Sequence, residues 1–162
     1  MRSYHLQVLV GVALLGGCAG IPGAFKDPDL RLDRVVVRGV GPTGGALDLL
    51  VAVYNPNQFD LKGTKLQVGF DVEGSHVGDL EYASDFQMQK GDTTALTLPV
   101  RFAWSGLSAA VRAALGSGDL PYTLRGQLTV QTPFGPHQVP FTREGRAPLT
   151  RVAGLVPIPT GR

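Results

Sequence analysis

The sequence predicts an all-β domain: an antiparallel β-sandwich, fibronectin-III or immunoglobulin-like, with about seven strands and one short connecting helix. Three observations predict it. Apolar and polar residues alternate with period two through most of the chain, which puts one set of side chains on a core and the other in solvent. The 22 glycines and 12 prolines punctuate these runs at short intervals, as turns between many short strands require. One segment, residues 105–116, breaks to a period of four.

The first residues read differently. Arg2 precedes an apolar run from Leu6 to Leu15, interrupted by Gln7 and Gly11. That run is too short to cross a bilayer, which needs about 20 apolar residues, but it has the length of a signal-peptide core. Leu15-Gly16-Gly17-Cys18 follows, and Cys18 is the only cysteine. The tetrapeptide resembles a bacterial lipobox: an aliphatic residue three positions before the cysteine and two small residues directly before it. The resemblance implies a diacylglyceryl group on the Cys18 thiol and cleavage just before it. One acyl chain anchors marginally, whereas two or more, at about 0.8 kcal/mol per buried CH2, hold permanently. A lone thiol in a secreted domain can form no internal disulfide and needs an explanation; acylation supplies one. Ala19 stands where Asp would resemble an inner-membrane retention signal, so the expected address is the cell envelope at the periplasmic face of an outer membrane.

The expected organisation is a lipoprotein signal peptide (1–17), a lipidated N-terminus and spacer (18–28), the β-domain (29–146) and a C-terminal tail (147–162). Leu30 to Val40 is β-branched and apolar and stops at Gly41-Pro42. Leu47 to Tyr54 is nearly all apolar, as a strand central in its sheet or buried on both faces would be. Lys65 to Val72 alternates, with Leu66, Val68, Phe70 and Val72 inward and Lys65, Gln67 and Asp71 outward. Glu73-Gly74-Ser75-His76 predicts a hairpin turn into Val77–Tyr82. Thr94 to Trp104 alternates again, with Leu96, Leu98, Val100, Phe102 and Trp104 inward. Pro99 removes a ladder donor there and predicts an edge or bulged strand.

Residues 105–116 predict a helix capped by Ser105 and ended by Gly116, with Leu107, Val111 and Leu115 on one face. About ten residues cannot hold a helix alone in water, so it must pack on the sheets. Leu120 to Gln131 is the clearest strand, with Leu120, Tyr122, Leu124, Leu128 and Val130 inward. Residues 132–136 turn the chain, and Gln138 to Arg143 returns with Val139 and Phe141 inward. The tail carries apolar residues among prolines, which leaves open whether it covers the sandwich or extends to a partner.

Little in the chain suggests catalysis. The 15 Lys and Arg nearly balance the 13 Asp and Glu, and no basic run appears, so no nucleic-acid partner is expected. His5, His76 and His137 show no metal-ligand spacing, and no metal or cofactor is expected. The groups Asp27, Asp29, Asp33 and Asp79, Glu81, Asp85 lack the spacing and glycine of a calcium loop and read as solvated faces. Ser105 and Ser108 have no adjacent histidine. Residues 39–45 are glycine-rich without the Lys and helix of a phosphate loop. Trp104, Phe102, Phe70 and Tyr122 read as core.

Val53-Tyr54-Asn55-Pro56-Asn57 follows an apolar strand, Asp60 to Leu66 leads into an alternating one, and Glu73-Gly74, Val77-Gly78, Thr93-Thr94, the helix and Leu124-Arg125-Gly126 follow in order. This resembles the type 2 late-embryogenesis-abundant family, the WHy domain, over about residues 29–146. The resemblance implies a fibronectin-III-like sandwich, no catalytic residues and a link to desiccation or other water stress. It also implies roles in protecting enzymes from inactivation, in binding apolar or membrane partners, or as an accessory domain. Asn55-Pro56-Asn57 also has a local account. Pro56 biases Asn55 toward an extended conformation, Asn55 can bond the backbone two residues on, and Asn57 tolerates a left-handed conformation. The motif therefore reads as a structural corner.

The expected function is a lipid-anchored, non-catalytic stress-protective module that binds client proteins or membrane-proximal partners. The alternative is a carrier or assembly lipoprotein holding an apolar ligand or lipid between its sheets.

Overall fold

The computed structural model describes residues 25–151. Eight strands appear in chain order: β1 (Asp29–Val40), β2 (Gly44–Tyr54), β3 (Leu61–Val72), β4 (Ser75–Tyr82), β5 (Phe86–Met88), β6 (Thr93–Ala103), β7 (Asp119–Thr132) and β8 (Gly135–Arg151). One helix, α1 (Ala109–Ser117), links β6 to β7. The all-β expectation with one short helix holds.

The strands hydrogen-bond in the order β4-β3-β7-β8-β1-β2-β6, with β5 added to β3. They do not separate cleanly into the two sheets of a sandwich. The cause is β8, which is 17 residues long. It runs antiparallel to β7 from Gly135 to Pro148. Its last residues, Leu149 to Arg151, then pair parallel with Val35 to Val37 of β1. One strand thus belongs to both halves, and the sheet curls into a barrel-like form. Register shifts in β1 and β3 mark bulges, which bend strands and sharpen twist. The end strands β4 and β6 lean together without a ladder: a methyl at Gly78 would stand 3.5 Å from Val100 Cγ1.

Alternation in the sequence fixes the inside. Leu66, Val68, Phe70 and Val72 of β3 are buried, as are Leu120, Tyr122, Leu124, Leu128 and Val130 of β7. Burying a Leu, Val or Phe side chain fully contributes roughly 1.5–3 kcal/mol, so these two strands anchor the core. Gly126 occupies an inward position of β7 where strands meet closely: a methyl there would lie 1.9 Å from the Gln67 carbonyl oxygen. In β2, Leu47, Leu49, Val51 and Val53 face inward, and Asp48 and Ala52 on the other face are buried too. That double burial follows from its position between β1 and β6. Pro99 sits on β6, the last strand of the hydrogen-bonded order, an edge position of the kind to which proline is confined in sheets.

Five sequence expectations are corrected. Phe86–Met88 forms an eighth strand too short to show a period. The α1 cap is Ser108, whose Oγ accepts from the Val111 N–H at 3.3 Å, rather than Ser105. Trp104–Gly106 closes a 3-10 turn instead, and Leu107 returns to extended backbone. The helix ends at Gly118, with φ 82°, rather than at Gly116. Trp104 leaves the inward row of β6: its Nε1 donates to the Gly41 carbonyl at 2.7 Å, and it is only partly buried. Val111, Ala114 and Leu115 form the buried face of α1. β8 continues past residue 146, so Ala147 and Leu149 are core residues.

The strands give the domain two poles. β1, β3, β6 and β8 begin at one pole, and β2 and β7 end there. The chain enters at this pole through Phe25–Pro28. The opposite pole holds α1, the turn at residues 41–43 and the end of β8.

Candidate functional site

Cys18 and the preceding Leu15, Gly16 and Gly17 lie outside the described residues. What the structure does place is the chain that follows them. Phe25 packs on the core, its ring edge-on to His137 with centroids 4.7 Å apart. Lys26 is gripped through its backbone: its N–H donates to Asn57 Oδ1 at 2.7 Å, and its carbonyl accepts from Asn57 Nδ2 at 2.7 Å. Asn57 thus mimics a neighbouring strand for one residue.

Asn55 stands behind it, fully buried. Its Oδ1 accepts from the Asn57 N–H at 3.0 Å, the bond to the backbone two residues on. The same oxygen accepts from Asn57 Nδ2 at 2.9 Å. Asn55 Nδ2 donates to the carbonyls of Phe59 at 2.9 Å and Met88 at 3.0 Å. Its backbone also joins the next turn, donating to the Asp92 carbonyl at 3.0 Å and accepting from the Gly91 N–H at 3.0 Å. A carboxamide has two N–H donors and two oxygen lone pairs, and all four of Asn55 are occupied. The motif therefore joins the entering chain, the end of β2, the loop before β3, the end of β5 and the start of β6. The Asn55 side chain has no donor or acceptor left for a ligand.

A second polar cluster sits where β3 meets β4, and the sequence gives no hint of it. Asp71 has outward parity, yet it is buried. Its carboxylate lies 3.0 Å from the Arg125 guanidinium and 2.9 Å from His76 Nδ1. His76 Nε2 lies 3.3 Å from Asp79. The hydrogen bond to Asp71 raises the His76 pKa above its ordinary value; partial burial opposes this, and Asp79 adds to it. The hairpin turn that brings His76 back to Asp71 uses left-handed backbone at Glu73, φ 49°, and Gly74, φ 70°.

The carboxylates grouped in the sequence do not converge. Asp29 pairs with Arg143 at 2.7 Å, Asp33 with Arg34 at 3.4 Å, and Asp27 lies 3.8 Å from His137. Glu81 pairs with Lys65 at 3.1 Å and Asp85 with Lys62 at 2.6 Å. Hydrogen bonds from Lys65 and Gln67 hold Glu81 below the usual carboxylate range. A shallow depression of about 430 Å³ crosses this face, lined by Gln67, Asp79, Glu81 and Gln127 among others. Both of its carboxylates are among the paired ones. Among the described residues no group of three or more His, Cys, Asp or Glu is placed to hold a metal ion. No helix among them is long and apolar enough to cross a membrane. Residues 41–43 form a tight turn, with the Gly41 N–H donating to the Gly44 carbonyl at 2.7 Å.

A known structure shares this fold. The chain is similar to the solution structure of AT1g01470 from Arabidopsis thaliana, with a TM-score of 0.62 and 23% identity, covering 84% of this chain and 91% of that one. It also matches the late embryogenesis abundant protein At2g46140.1, with a TM-score of 0.41 and 18% identity over 83% of this chain and 76% of that one. A protein from Archaeoglobus fulgidus matches with a TM-score of 0.44 and 14% identity, covering 77% of this chain and 97% of that one. At 23% identity the likeness to AT1g01470 concerns the fold alone. No curated protein sequence matches. The family model described as "Late embryogenesis abundant protein" (LEA_2) matches residues 50–145, from the middle of β2 into β8 and across the Asn55-Pro56-Asn57 corner. That span is more than half of the chain, and the chain therefore belongs to the type 2 late embryogenesis abundant family, which fits a stress- or desiccation-related role and whose members are generally not enzymes.

Proposed function

We propose that the protein is a lipid-anchored, non-catalytic module of the cell envelope that protects other proteins during drying or heating by binding them or other partners near the membrane. The family match over residues 50–145 carries the protective part of this reading. The Leu15-Gly16-Gly17-Cys18 sequence supports the anchor, with the periplasmic face of an outer membrane as its address. The pairing of the described acidic clusters with basic side chains supports a binding role over a chemical one: a carboxylate held by a cation is poorly placed to act as a general acid or base. The mechanism is local concentration. A tethered domain meets membrane-proximal clients far more often than a free one does.

Two measurements test the two halves. Palmitate labelling of the wild-type protein, lost in Cys18→Ala, supports the anchor; a Cys18→Ala protein that fractionates with membranes as the wild type does refutes it. The Cys18→Ala protein, purified without its lipid, is expected to slow aggregation of a client enzyme during dehydration or heating. Protection no greater than that from an inert protein at equal mass refutes the protective role.

A further inference from the structure

Among the described residues, the large apolar side chains left exposed are Phe134, 81% exposed, and Tyr54, 43% exposed. Both lie at the pole where the chain enters. Tyr54 ends β2 opposite Asp29 and Thr93. Phe134 forms the tip of the β7–β8 hairpin, beyond the Thr132–Gly135 pair. Its projection is built in rather than accidental. The Thr132 hydroxyl donates to the Gly135 carbonyl at 2.9 Å and accepts from the Phe134 N–H at 3.1 Å. Gly135 supplies the left-handed φ of 116°, and Pro133 and Pro136 flank the tip. A turn stiffened in this way holds the ring in solvent at little further entropic cost when it docks.

The chain itself says what covers this pole. From Cys18 to Phe25 is seven residues, which span at most about 25 Å when fully extended. Phe25 and Lys26 are fixed to this pole by the core and by Asn57. A strand of 12 residues such as β1 adds about 40 Å to reach the opposite pole. The pole also mixes Lys26, Lys62 and Lys90 with Asp27, Asp60 and Asp92, so no cationic field draws it to anionic lipid. Apolar contact and the tether must do so.

We propose that this pole rests on the bilayer, with the Phe134 ring inserted at the headgroup–acyl boundary and Tyr54 at the headgroup level, where amphipathic aromatic rings settle. The proposal rests on the lipid-anchor reading. The domain then stands upright on its tether, with α1 and the 41–43 turn pointing away from the membrane.

The chain's single tryptophan, Trp104, lies at the far pole and serves as an internal control. The lipidated protein is reconstituted into phosphatidylethanolamine and phosphatidylglycerol vesicles whose acyl chains are brominated, since bromine quenches indole on contact. Wild-type emission is expected to match that in unbrominated vesicles, while Phe134→Trp gains a component that bromolipid quenches. Vesicle co-sedimentation reads the anchor separately. A Phe134→Trp protein that sediments with vesicles but is quenched no more than wild type overturns the pose and leaves the anchor standing. A blue-shifted Phe134→Trp signal without bromine quenching places a protein on the tip and also overturns it. A protein that fails to sediment at all overturns the anchor, and the pose with it.

Discussion

Replacing Asn55 with alanine tests whether the Asn55-Pro56-Asn57 corner is structural. The side chain makes four hydrogen bonds, to the Asn57 N–H, Asn57 Nδ2 and the carbonyls of Phe59 and Met88, all between 2.9 and 3.0 Å. Each such bond contributes about 1 kcal/mol net, and a buried group left without its partner costs about 1–3 kcal/mol. Water entering at the loop side, near Phe59, restores part of this. Asn55→Ala should therefore destabilise the domain by about 3–5 kcal/mol, a large fraction of the 5–15 kcal/mol that roughly spans domain stabilities. For a domain of this size that corresponds to a fall in Tm of about 10–20 °C. Thermal and urea unfolding followed by circular dichroism on the Cys18→Ala background reads it. Asn55→Asp keeps the shape but loses both donors and sets a carboxylate against two carbonyls, so it should be no more stable than the alanine variant. A Tm within about 2 °C of the parent, coupled to lost client protection, would refute the reasoning and make the motif a binding site.

Two further outcomes are expected. Because Asp71 raises the folded-state pKa of His76, protonated His76 stabilises the domain fully below its unfolded pKa, and that contribution is lost as pH rises through the raised value. A Tm series from about pH 5 to about pH 8 should show this decline, and His76→Gln should flatten it; an equal slope in the variant refutes the assignment. Ser108→Ala should lower stability by about 1 kcal/mol through loss of the cap, with Ser105→Ala within about 0.5 kcal/mol of wild type. Equal effects in urea unfolding would place the cap wrongly.

The comparison of these two serines marks the limit of what local pattern reveals. The sequence points to Ser105, which precedes the apolar repeat, whereas the structure caps the helix with Ser108, inside that repeat. The choice fell to Ser108 because Trp104 turned back to bond Gly41, 63 positions away. Asp71 gives the same lesson. Its parity in β3 says solvent, and only Arg125 of the neighbouring strand and the returning His76 make burial tolerable. β5, with three residues, is too short to show a period and exists because Leu61 to Gly63 of β3 offers it a partner.

By itself the sequence determined most of the strands and their inward faces, since a period of two is a property of the chain that needs no partner to be read. It also determined the local part of the corner, where Asn55 bonds a residue two positions on, and it supplied the family motif. Only the tertiary structure decided the order of the strands, the parallel junction of β8 with β1 that curls the sheet into a barrel-like form, the grip of Asn57 on Lys26, and the gathering of Phe134, Tyr54 and the entering chain at one pole. The grip and the β8–β1 junction are contacts between residues 31 or more positions apart, and their free energy depends on the whole sheet closing, which no window of sequence encodes.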